Sequence, residues 1–87
     1  MALEFIGIDP ETGKEGSPTV WVDVGTGEIV IQGWTAGEAL TAEISGVGWS
    51  AGHEPGIPDG ESVIRMPVRM VPILREACDA ADRAGLL

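Results

Sequence analysis

Two alternating, β-branched runs, Thr19-Val20-Trp21-Val22-Asp23-Val24 and Glu28-Ile29-Val30-Ile31-Gln32, stand either side of Gly25-Thr26-Gly27. Runs of this kind joined by glycine-rich turn chemistry form a β-hairpin. The alternation also sets a register. With Val24 opposite Ile29 and Val22 opposite Ile31, the residues Val20, Val22, Val24, Ile29 and Ile31 share one face. Trp21, Asp23, Val30 and Gln32 take the other. A slip by one residue would place Asp23 beside Ile29 and Gln32 beside Val20, on the wrong side of the sheet. The expected connection is a loop of two or four residues.

A hairpin alone is at best marginally stable in water, so its aliphatic face needs a cover. The C-terminal segment supplies one. Val71, Leu74, Cys78 and Ala81 recur at helical spacing, widened by Ile73, Ala77, Ala80 and Ala84. Pro72 is tolerated only in a first turn, and Gly85 is a natural stop. Residues 71–84 are therefore expected to be the longest helix, packed on Val20, Val22, Ile29 and Ile31. Phe5-Ile6-Gly7-Ile8 and Ser62-Val63-Ile64-Arg65-Met66 read as further strands, the first ended by Asp9-Pro10-Glu11-Thr12-Gly13 and the second by Pro67. Thr35 and Glu38 have the spacing of a capping box for a short helix over residues 35–44. Gly46 to Gly60 fits no regular element, and a loop of that length is functional or mobile. The expected fold class is α+β: one domain over residues 1–87, with a small, mainly antiparallel sheet and a C-terminal helix on one face.

A chain of 87 residues buries only about 60% of the surface its unfolded form exposes. With Cys78 as its one cysteine, it has no internal disulfide to compensate, which favours a reducing, cytoplasmic setting. The Met1–Ile6 start lacks the basic and long apolar regions of a signal peptide, and no run reaches membrane-spanning length. Ala84-Gly85-Leu86-Leu87 lacks a prenylation cysteine. Fourteen carboxylates against five Lys and Arg give a net charge of -9. That field repels phosphate backbones and anionic membranes, so neither nucleic acid nor membrane is an expected partner. A basic protein is.

The motifs that suggest chemistry fail on context. Gly48-Trp49-Ser50-Ala51-Gly52 matches a nucleophile elbow and His53 follows it. The elbow requires a strand entering and a helix leaving, and His53-Glu54-Pro55-Gly56-Ile57-Pro58 cannot be helical. Gly7 to Lys14 has five residues between its glycines, not four, and Glu15 where a phosphate loop needs Ser or Thr. Asp9, Glu11 and Glu15 lack calcium-loop spacing, and one Cys with one His is a poor zinc set. The expectation is no catalytic residue, no metal site and no cofactor, with a hydrolase using Ser50 and His53 as a remote alternative that Ser50→Ala would test. Trp21, Trp34 and Trp49 carry more weight, because tryptophan is enriched at interface hot spots. Trp21 lies opposite the aliphatic face, with Trp34 ending the strand beside it. Trp21, Trp34, Trp49 and His53 are the candidate partner-binding residues, the Trp21/Trp34 face docking and the Trp49–Pro58 loop as its rim.

The runs Ser17-Pro18-Thr19-Val20-Trp21-Val22-Asp23, Ile29-Val30-Ile31-Gln32-Gly33-Trp34 and Ile57-Pro58-Asp59-Gly60-Glu61-Ser62-Val63-Ile64-Arg65-Met66-Pro67 resemble a group of small acidic actinobacterial proteins. Members of the group are largely uncharacterised and tend to be encoded near helix-turn-helix regulators. The resemblance covers most of the chain and brings no catalytic residues. It implies a regulatory accessory that binds a DNA-binding protein. The expected function is thus a cytoplasmic binding or regulatory accessory, with a structural homodimerisation module as the alternative.

Overall fold

The computed structural model describes residues 2–11, 13 and 16–87. In order, its elements are β1 (Leu3–Ile8), β2 (Thr19–Asp23), β3 (Glu28–Gln32), β4 (Trp34–Thr35), α1 (Glu38–Ser45), β5 (Ile64–Arg65), a 3-10 turn (Val68–Met70) and α2 (Val71–Arg83). The fold is α+β, with antiparallel pairing throughout and the C-terminal helix against the strands. Two compact units divide it. The first joins Met1–Gly33 to Met66–Leu87, and the second is Trp34–Arg65.

The first unit is a three-stranded sheet in the order β1-β2-β3, with α2 over β1 and β2. The hairpin faces are those the alternation implies, but the register is two residues away from the expected one. Val22 pairs Ile29, Val20 pairs Ile31 and Trp21 pairs Val30. The cause lies in the turn. The Asp23 side chain accepts hydrogen bonds from the Gly25 and Thr26 amides at 3.0 and 3.2 Å. The Asp23 carbonyl accepts one from the Gly27 amide at 2.9 Å. Asp23 thereby closes a four-residue loop of which Val24 is part, and Val24 leaves the ladder. Aspartate competes well for local backbone donors in this way.

The helix is also rotated from the expected phase. Met70, Ala77, Ala80 and Ala81 are buried, with Ile73 and Leu74 packed on the same cluster. Cys78 is exposed, correcting its assignment to the core. At about 100° per residue the seam runs 70, 73, 74, 77, 80, 81, and Cys78 lies on its flank. Met70, at the end of the 3-10 turn, is fully buried and sets that phase. Pro72 sits in the first turn, where its missing amide costs nothing. At the other end the Gly85 and Leu86 amides donate to the Asp82 and Ala81 carbonyls, both at 3.0 Å. This is the paired bonding of a Schellman stop, with Gly85 at a φ of 74°. Leu86 then folds back onto the core.

Val20 and Val22 are fully buried beneath α2, each worth about 1.5–3 kcal/mol relative to exposure. Ile29 and Ile31 share their face but remain 45% and 41% exposed, because the helix packs mainly on β1 and β2. Their expected burial is corrected accordingly. On β1 the register shifts between Phe5 and Gly7. That bulge turns Ile6 into the core and lays Gly7 under the helix. A Cβ at Gly7 would stand 3.0 Å from the Ile73 side chain, a tight contact that Ile73 would have to relieve by moving a few tenths of an ångström.

The second unit is built differently. Trp34 pairs Arg65 and Thr35 pairs Ile64, and the Ala36 amide extends the ladder to the Val63 carbonyl at 3.3 Å. Thr35 is thus a strand residue, and the expected capping box is absent: Gly37 is the N-cap of α1 and makes no side-chain cap. Residues 46–60 form turns and bends, as the glycines and prolines imply.

Candidate functional site

The bulge and the hairpin register together build the most distinctive surface. Phe5 pairs Trp21, and Trp21 pairs Val30. Directly paired residues point to the same side of an antiparallel sheet, so these three form one apolar row across all three strands. The row lies on the face away from α2. Phe5 is 58% exposed, while Trp21 and Val30 are half-buried. Leu3, Asp23 and Glu28 form the next row on that face. Leu3 extends the apolar surface and is exposed.

Asp23 and Glu28 face each other directly. Two carboxylates in that position repel. Asp23 is partly recompensed by the two amides of the turn. Glu28 is exposed on the outer strand. The face therefore sets an apolar row beside a concentrated negative charge. An aliphatic or aromatic group with a cation one strand-spacing away is its chemical complement.

The residues singled out in the sequence are placed as follows. Trp21 is central to the row. Trp34 does not end β3; Gly33 intervenes, and Trp34 opens β4 in the second unit, 45% exposed. The row's partners for Trp21 are Phe5 and Val30. Trp49 is 66% exposed, and its indole Nε1 donates to the Ile44 carbonyl at 2.9 Å, tying the loop to the end of α1. His53 is exposed and lines an open depression of about 520 Å³ with Glu54, Pro55, Gly56, Ile57, Pro58 and Glu61. Ser50 lies on a bend, and the His53 amide donates to its carbonyl at 3.1 Å. No strand enters Ser50 and no helix leaves it.

No family model, curated protein or solved structure matches the chain.

Asp9 carries a feature the sequence did not disclose. Its side chain is fully buried and receives both arms of Arg69, from Nε to Oδ1 and from the terminal nitrogen to Oδ2, each at 2.7 Å. The Glu11 amide adds a bond to Oδ1 at 3.0 Å, and the Asp9 amide donates to the Pro18 carbonyl at 2.9 Å. Sixty residues of sequence separate Asp9 from Arg69. The fork clamps the end of β1 to the 3-10 turn that leads into α2. Bidentate guanidinium–carboxylate pairing is the strong form of the ion pair. Hydrogen bonding to Asp9 raises Arg69 above its ordinary value against some desolvation, with Glu11 assisting. A raised pKa keeps the arginine's contribution at every pH below its ordinary value and loses it only above, so neutral-range titration of Arg69 does not open the clamp. Among the described residues no group of three His, Cys, Asp or Glu is arranged to hold a metal ion. Lys14 and Glu15, weighed for phosphate and calcium, lie outside the described residues. No helix among the described residues is long and apolar enough to cross a membrane.

Proposed function

We propose that the chain is a small acidic accessory that binds a basic protein through the Phe5–Trp21–Val30 row. The observation behind this reading is the juxtaposition of that row with Asp23 and Glu28 on the face away from α2. Large apolar groups left in contact with water beside charge are the ordinary anatomy of a docking site. The net charge of -9 would steer a cationic partner from a distance, and Phe5 and Trp21 would supply the local affinity. A basic DNA-binding regulator fits these terms. The chain would then act on DNA only through its partner, in the cytoplasm, and with no catalytic residue or cofactor. Trp34, Trp49 and His53 belong to the other compact unit, and the reading does not require them.

The test is capture with the full chain, with retained proteins identified and their charge noted. The expected result is a basic protein whose retention falls as salt rises. A Phe5→Ala/Trp21→Ala variant should lose it, while Trp49→Ala should keep it. Retention indifferent to the double substitution, or confined to acidic proteins, would refute the reading.

A further inference from the structure

We infer that β3 is a self-pairing edge, through which two copies of this chain join in an antiparallel dimer centred on Val30. The outer strands of the sheet are β1 and β3. Edge strands are normally blunted by lysine, proline, a bulge or a cover, since open backbone groups recruit another strand. β1 carries a bulge. The β3 sequence Glu28-Ile29-Val30-Ile31-Gln32 has no lysine, no proline and an unbroken register with β2. Ile29 and Ile31 lie on its helix side, 45% and 41% exposed, at the margin of the ground α2 covers.

The order of residues in β3 argues for a second copy as occupant. Paired antiparallel to itself about Val30, the strand sets Val30 against Val30, Ile29 against Ile31 and Glu28 against Gln32. Four isoleucines then meet on the helix side, in the cross-strand contacts that stabilise sheets. The strand's single carboxylate faces an amide and not its own copy. Registers shifted by two in either direction lose this match: one sets Glu28 against Val30, and the other leaves Glu28 without a partner. Each chain carries a net charge of -9, so long-range repulsion opposes the pairing, and salt should strengthen it. A basic partner on the Trp21 face would respond to salt in the opposite sense, which keeps the two ideas experimentally apart.

The experiment measures the mass of the full chain in solution by light scattering or sedimentation, with Cys78→Ser throughout to remove the exposed thiol. Concentration is raised to about 1 mM at low salt and again at about 0.5 M salt, where the Debye length is a few Å. The expected result is a dimer fraction that grows with concentration and with salt. Ile29→Lys/Ile31→Lys should abolish it, and Phe5→Ala should not. A second probe covers failure of that variant to fold. Val30→Cys should cross-link to its copy under mild oxidation, because directly opposed strand residues stand at about 4.5–5.5 Å, within disulfide reach. Thr26→Cys, in the turn, should not. A monomer under every condition, a dimer that survives the lysines, or equal cross-linking at positions 26 and 30 would overturn the inference.

Discussion

The two faces of the three-stranded sheet obey opposite rules. On the helix side Val20 and Val22 are fully buried, Ile6 is turned inward by a bulge, and the Ile73 side chain of α2 lies so close to Gly7 that a Cβ there would press on it. On the other side an apolar row is left in partial contact with water beside two carboxylates. Folding accounts for the β1 and β2 part of the first face, where Val20, Val22 and Ile6 pack into the core, while Ile29 and Ile31 at its β3 edge stay exposed. It does not account for the second, where Phe5 is 58% exposed. A small chain that places its large side chains outside its core has either wasted them or given them another use.

That contrast can be broken by substitution. The largest effect is expected at Met70, which fills the centre of the covered face. Met70→Ala should cost about 2–5 kcal/mol in denaturant unfolding, and a smaller loss would mean that the core is looser than its burial implies. Asp9→Ala should follow, at about 1.5–3 kcal/mol for the loss of charge-assisted bonds. Arg69→Lys should recover less than the wild-type clamp, because an ammonium cannot reproduce the fork. Asp9→Ala with unchanged stability would show that the clamp contributes nothing. Gly7→Ala should cost about 1 kcal/mol net, the clash with Ile73 outweighing the small gain from a stiffer unfolded chain. A stabilised Gly7→Ala would show that Ile73 moves aside freely.

Much of this arrangement was legible in the sequence, for local reasons. Alternation in residues 19–23 and 28–32 assigned the right residues to each face, though Val24 was wrongly included, and Gly85 and Pro72 bounded the helix correctly. What escaped was non-local. The hairpin register shifted by two because Asp23 captured the turn amides, a choice that leaves both faces unchanged and so leaves no mark on the alternation. Cys78 was placed in the core because the stripe was centred on Val71, Leu74, Cys78 and Ala81, whereas Met70 sets the phase and Ala77 and Ala80, expected only to widen the stripe, lie at its centre. Phe5 was not recognised as Trp21's neighbour because the connection from Ile8 to Thr19 carries no register signal. The Asp9–Arg69 clamp spans 60 residues, and each residue alone looks like an ordinary surface charge.

The second compact unit sharpens the contrast from another direction. Trp34–Arg65 contains no buried residue, two strands of two residues each, and a helix without a side-chain cap. Its amides should exchange with solvent at much lower opening free energy than those of β2 and α2, since few buried contacts oppose local opening. Equal protection in the two units would contradict this.

Phe5→Ala, melted and offered the captured basic partner side by side with the wild type, tests the central claim most directly. If the row serves docking, stability should change by no more than about 0.5 kcal/mol, while the dissociation constant should rise at least about tenfold. A variant that melts early yet binds as tightly as the wild type would show that the row is part of the core and that the partner docks elsewhere.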